Sequence, residues 1–173
     1  MPHRLRRTWF LFAAGIIVGC ARTDTAEQKM TNEQQKITAL TDADQKRLRD
    51  QRAVVEAYLG DEESKRKYQT AAGKLGTIRA ILGSGVFKRD QTYELQCLGI
   101  VLGDAFVQEL GMEWIMVEDE HGRDPAVRMP ETSVILFPLT MISKRVERGE
   151  QVDVFELFNG VAAHVEDLKQ RGR

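Results

Sequence analysis

Apolar residues recur at helical spacing in five stretches of the chain and crowd or alternate at strand spacing in three others, and the two patterns occupy separate parts of it. Leu48, Val54, Val55 and Tyr58 form an incomplete stripe over residues 42–59. Thr41 or Asp42 stands where a helix cap belongs, and Gly60 where a helix stops. Asp61-Glu62-Glu63 then places negative charge in the first turn of a second helix, where the macrodipole favours it. Tyr68, Ala71, Ala72, Leu75, Ile78 and Leu82 continue that helix to Gly83 at helical spacing. The short connection predicts an antiparallel helical hairpin over 41–83, and Gly83-Ser84-Gly85 reads as the loop after it.

The next helix, capped by Asp90 and stopped by Gly111, is apolar over more than one face: Tyr93, Leu95, Leu98, Ile100, Val101, Leu102, Ala105, Phe106 and Leu110. A helix apolar most of the way round is central. Gly99 and Gly103 share one face of it and each costs about 1 kcal/mol of helix propensity relative to Ala, so another backbone is expected to approach closely there. Asp104, Glu94 and Gln96 exclude a lipid-facing span. Glu113–Glu118 alternates as a strand, Asp119-Glu120-His121-Gly122 signals a hairpin, and Pro125–Met129 returns. Ser133–Phe137 is more continuously apolar and predicts a strand that is central or covered on both faces. Pro138 closes it, and Thr140 starts a short helix that Gly149 ends. Asp153 caps a last helix to about Leu168 with Phe155, Phe158, Val161, Ala162 and Val165 inward. The fold class expected is therefore α+β, a three-stranded antiparallel meander packed with about five helices.

Upstream of this lies a different pattern. Arg4, Arg6 and Arg7 precede an apolar run from Trp9 to Val18, which is too short to span a bilayer comfortably. A basic start, a short apolar core and a small residue before the cut make a secretory signal. Ile17-Val18-Gly19-Cys20 resembles the lipobox of bacterial lipoproteins. That resemblance implies a signal peptide over 1–19, cleavage before Cys20, and acyl chains on Cys20, two or more of which hold a protein stably on a membrane. Ala21 follows the Cys where an Asp would be the familiar inner-membrane retention signal of enteric bacteria. The expected address is the outer membrane, facing the periplasm. Residues 21–39 hold only Met30 and Ile37 as larger apolar residues, so 20–40 reads as a flexible tether, followed by one α+β domain over 41–173.

Losing residues 1–19 removes three arginines, so 22 cationic side chains face 26 carboxylates and the formal net charge moves from −1 to −4. No basic stripe with interleaved aromatics remains, which argues against nucleic acid as a partner. With Cys20 acylated, Cys97 is the one thiol left, and an intramolecular disulfide has no second partner.

Leu98-Gly99, Leu102-Gly103, Trp114, Asp119-Glu120-His121-Gly122 and Leu136-Phe137-Pro138-Leu139-Thr140-Met141-Ile142-Ser143-Lys144-Arg145 carry a further likeness. Over 98–169 the chain resembles a family of small bacterial domains of unknown function. The resemblance implies an architecture (paired glycines for packing, a hairpin turn, a strand-to-helix corner) and no activity, and it leaves the 41–82 hairpin outside.

Candidate chemistry is sparse. Glu118 to Asp124 is the densest polar cluster; Asp119, Glu120 and Asp124 suit a hard cation or a basic partner, but their spacing is not that of an EF-hand. A solvated hairpin tip, with Arg123 neutralising a neighbour, explains the same residues. Lys144 and Arg145 follow the strand-to-helix corner, where Thr140, Ser143 and helix N-terminal amides suit an acidic group; Thr140 as a plain N-cap is the alternative. Trp114 is either a core anchor or part of a binding surface. His121 and His164 are single, so neither a metal site nor a cofactor is expected, and Ser84 lacks the Gly-x-Ser-x-Gly pattern of a hydrolase nucleophile. No catalytic residue emerges. The expected function is a membrane-anchored periplasmic binding or scaffold module for an envelope protein or cell-wall component, with Trp114, Asp119, Glu120, Asp124, Lys144 and Arg145 as contact residues. Its alternatives are a cell-wall-directed hydrolase using the 118–124 carboxylates, or an immunity-type protein that binds a toxin.

Overall fold

A computed structural model describes residues 35–120 and 122–171 of the chain. The expected signal peptide, Cys20, most of the expected tether and His121 lie outside the described residues. Ten elements follow in order: β1 (Lys36–Thr38), α1 (Asp42–Glu56), α2 (Glu62–Tyr68), α3 (Ala71–Ser84), α4 (Thr92–Leu110), β2 (Glu113–Asp119), β3 (Gly122–Arg128), β4 (Ile135–Leu136), α5 (Leu139–Glu147) and α6 (Val154–Arg171). Among the described residues the class is α+β, but with a four-stranded antiparallel sheet in the order β1-β2-β3-β4 and six helices rather than three strands and five helices.

The fourth strand is β1, whose residues the composition had placed in the tether. Ile37 stands opposite Val117 and Lys36 opposite Glu118 on the edge of β2. An edge strand is held by backbone hydrogen bonds and does not need an apolar sequence. Leu40, just beyond, packs with Leu48, Ile100, Leu139 and Trp114, which anchors the segment.

The extra helix arises where one continuous stripe was read over 61–83. Thr70 interrupts it: its hydroxyl donates to the Lys67 carbonyl (2.9 Å) and accepts from the Gly73 amide (3.0 Å), capping α3. Gly73 is required at this corner, because a Cβ there would run into the Lys67 carbonyl. Nor do α1 and the α2–α3 pair form a hairpin of mutual neighbours. Both α1 and α3 are laid against α4, as is α5.

Helix α4 is the centre of the molecule. Leu95, Cys97, Leu98, Ile100, Val101, Leu102, Ala105 and Phe106 are completely buried, and Phe106 stacks on Phe158 of α6 with ring centroids 4.9 Å apart. Gly111, at φ 69°, ends the helix as expected, but Gln91 rather than Asp90 precedes it and supplies no side-chain cap. The close approach expected at the paired glycines is present. A Cβ on Gly99 would sit 2.5 Å from the carbonyl oxygens of Pro138 and Leu139, and one on Gly103 would sit 2.5 Å from the ring of Trp114.

β2 and β3 pair in full register from Glu113↔Arg128 to Asp119↔Gly122. Pro125 is opposite Met116, beyond the reach of β4, which pairs only with Val127 and Arg128; a missing N–H is tolerated on such an unpaired flank. The third strand of the expected meander is thus a two-residue edge, not a central strand. Its flanks are consumed by turns: Met129 and Val134 close one at the start, with Thr132 bonded back to Met129, and Pro138 begins α5 directly after. Asp153 caps α6 as expected, accepting from the amides of Phe155 and Glu156.

Candidate functional site

The site begins with the break between α2 and α3. A helix that stops leaves carbonyls without intrahelical partners, and here two of them are met from other elements. Lys74 Nζ donates to the Tyr68 carbonyl (3.1 Å), and Gln108 Nε2 of α4 donates to the Gln69 carbonyl (2.8 Å). Lys74 also donates to Gln108 Oε1 (3.2 Å) and lies 5.2 Å from the centroid of the Tyr68 ring, within cation–π range. Burial pulls the Lys74 ammonium below its ordinary pKa.

Next to this stands Asp104, a carboxylate set in the most apolar helix of the chain. Arg52 of α1 grips it with both prongs of its guanidinium, Nε to Oδ2 and Nη2 to Oδ1, each at 2.6 Å. Trp114, whose ring rests over Gly103, donates its indole N–H to Asp104 Oδ1 at 2.9 Å. Three elements are therefore tied by one carboxylate: α1, α4 and β2. The pair is largely shielded, with the side chains of Arg52 and Asp104 24% and 14% exposed, and the bond to Asp104 raises the Arg52 pKa further.

Arg52, Glu56, Tyr68, Gln69, Lys74, Asp104 and Gln108 line a cleft of about 350 Å³. Within it the Tyr68 hydroxyl is buried and has no hydrogen-bond partner among the described residues. Burial, then the nearby Glu56 and Asp104 carboxylates, push its pKa well above the usual phenol range, so it stays protonated and able to donate. An unsatisfied buried hydroxyl costs about 1–3 kcal/mol, and protein interiors rarely leave one. A wider groove of about 750 Å³ runs between residues 130–136 and the end of α6. Of its polar side chains, Thr132 is spent on its own turn and Lys169 on Glu166.

Of the residues singled out from sequence, Trp114 alone belongs to this constellation. Asp119, Glu120 and Asp124 lie at the far end of the β2–β3 hairpin, with Asp119 about 17 Å along the strand from Trp114 at ~3.3 Å per residue. Arg123 stands opposite Glu118 in the hairpin and feels its charge, but its hydrogen bonds reach out of the hairpin. It makes a bidentate pair with Asp44 of α1 at 2.5 and 2.7 Å, pinning the hairpin to the start of that helix. Asp44 in turn forms a capping box with Thr41. Lys144 and Arg145 fall in the last turn of α5, away from its N-terminal amides, and Arg145 donates to the Met141 carbonyl. The turn that opens α5 carries no side-chain cap from Thr140; Pro138 stands there, packed on Gly99. The expected anion-binding corner is therefore not assembled. Ser84 donates to the Ile81 carbonyl, and burial raises the Cys97 thiol to about 11, which makes it inert. No group of three metal-ligating side chains gathers among the described residues, and none of their helices is long and apolar enough to cross a membrane.

Arg52, Tyr68, Lys74 and Gln108 were missed because each sits on a different element and no local motif joins them. Asp104 was the one available signal: a carboxylate between Gly103 and Ala105, in the middle of a buried run, needs a partner.

The fold and the cleft thus describe a helix-covered antiparallel sheet with a polar pocket beside its central helix. A family model described as a domain of unknown function (DUF3806) matches residues 74–158 of the chain. The match starts within α3, earlier than the likeness read from residue 98, and includes Lys74, Asp104, Gln108 and Trp114 but not Arg52. No curated protein matches the chain. A crystal structure from Bacteroides thetaiotaomicron VPI-5482 is similar in fold, with a TM-score of 0.60 and 16% identity over 75% of this chain and 48% of that one. This chain therefore spans about half the length of that neighbour.

Proposed function

We propose that the protein is a lipid-anchored binding module of a bacterial cell envelope, held to the membrane through Cys20 and gripping an envelope protein or cell-wall component. The address rests on Arg4-Leu5-Arg6-Arg7, the apolar run and Ile17-Val18-Gly19-Cys20. The binding role rests on the cleft. One charged pair in its wall is fixed by mutual bonds, with Asp104 engaged by both Arg52 and Trp114. A carboxylate so engaged positions its neighbours, while the unpartnered Tyr68 hydroxyl is a recognition group.

In-cell cross-linking of the tagged full-length protein, followed by mass spectrometry, tests the reading. The expected result is one dominant envelope partner whose capture falls in Lys74→Glu. Capture spread over background proteins, or unaffected by that change, contradicts it. Cys20→Ser is expected to release the protein from the membrane and leave it at the precursor mass; retention through a high-salt wash contradicts the anchor.

A further inference from the structure

The charges lining the cleft do not all have partners, and those left over describe a ligand. Four ionisable side chains of opposite sign line it: Arg52 and Lys74, Glu56 and Asp104. Arg52 and Asp104 satisfy each other. Lys74 spends two of its three N–H groups on neutral oxygens, those of the Tyr68 backbone and the Gln108 side chain, which leaves one donor and a full positive charge. Glu56, exposed on the last turn of α1, makes no hydrogen bond or ion pair among the described residues. Glu56 and Lys74 attract each other without touching, and the unpartnered Tyr68 hydroxyl is close enough to Glu56, Asp104 and Arg52 to feel all three.

One cation, one anion and one neutral donor therefore remain, in a space of about 350 Å³. That volume is at the lower end of small-molecule sites. We propose that the cleft binds a small zwitterion of amino-acid or short-peptide type, its carboxylate between Lys74 Nζ and the Tyr68 hydroxyl and its ammonium toward Glu56. A simple anion leaves Glu56 unmatched and is repelled by two carboxylates; a simple cation leaves Lys74 and the hydroxyl unmatched. A ligand that carries both charges matches each unspent group without adding net charge to a half-shielded site.

The inference deepens the binding-module reading and rests on it, yet its test needs no cell, anchor or macromolecular partner, so either can fail while the other stands. Trp114 bonds Asp104, which bonds Arg52 at the cleft wall, and is a built-in reporter. Full-length protein carrying Trp9→Phe, which leaves Trp114 as the one indole, is titrated with glycylglycine while Trp114 emission is followed. Acetate and methylammonium are titrated at the same ionic strength. The expected result is a saturable change with glycylglycine in the millimolar range and affinity at least about tenfold weaker for either single charge. Lys74→Met is expected to weaken glycylglycine at least about tenfold, and Tyr68→Phe about three- to tenfold. Tyr68→Phe keeps the ring and serves alone should the Lys74 variant fail to fold. No saturable response to glycylglycine, an equal response to acetate, or unchanged affinity in a folded variant overturns the proposal.

Discussion

Two bidentate arginine–aspartate pairs fasten α1 to the rest of the molecule, and they differ in what surrounds them. At its start, Asp44 accepts from Arg123, from the Thr41 amide at 2.9 Å and from the Thr41 hydroxyl at 2.7 Å. Every oxygen is used, the carboxylate is buried, and the result is a closed joint between a helix N-terminus and a hairpin. Further along the helix, Asp104 is gripped just as firmly by Arg52 and Trp114, but the pair forms the wall of a cleft holding an unspent ammonium, an unspent carboxylate and an orphaned hydroxyl. The same bond thus serves two ends. Where it completes its surroundings it is structure; where its surroundings remain incomplete, it is the fixed side of a binding site.

Removing the carboxylate at each joint sharpens that contrast. Asp104→Ala is expected to cost about 3 kcal/mol in urea unfolding, because a largely shielded guanidinium and an indole N–H lose their acceptor together. A loss below about 1 kcal/mol would mean that solvent already screens the pair. Asp44→Ala is expected to cost about 1–2 kcal/mol through its capping box. The Arg123 contribution is smaller, since that side chain is 36% exposed. Only Asp104→Ala is expected to change the Trp114 emission of Trp9→Phe protein.

The Asp44 joint also has a pH signature. Its hydrogen bonds from Arg123 and Thr41 hold the carboxyl well below its ordinary value of 3.8. A depressed carboxyl contributes stability that is fully present above the unfolded value and lost as pH falls toward the folded one. The stability gap between wild type and Asp44→Asn is therefore expected to be constant near neutrality and to narrow below about pH 4. A gap that stays constant down to about pH 2 would place the carboxyl at its unfolded value.

How much of this was legible in the sequence follows from how local each cause is. Helix α4, its stop at Gly111 and the close contacts at Gly99 and Gly103 were readable, because burial pattern and glycine spacing lie within one element. The β2–β3 hairpin was readable from alternation and a turn signal. Strand β1 was not, since Lys36-Ile37-Thr38 is made a strand by the β2 edge it meets. The break at Thr70 was hidden because the apolar spacing runs straight through it while a hydroxyl cap ends the helix. The cleft was the least legible feature, for its groups come from α1, α2, α3 and α4 and become a site only through packing. Asp104 marked the place without naming its partners, and the eye-catching run from Glu118 to Asp124 instead gave Arg123 to a structural joint.

The smallest expected effect is the most telling, since it separates the two joints on a single oxygen atom. Tyr68→Phe in the full-length protein deletes the orphaned hydroxyl and leaves the ring in the core. Unfolding free energy, measured by urea titration, is expected to stay level or rise by up to about 1 kcal/mol, because a buried donor without a partner is removed. A loss of more than about 1 kcal/mol would show that the folded protein already satisfies the hydroxyl, making this joint as closed as the one at Asp44.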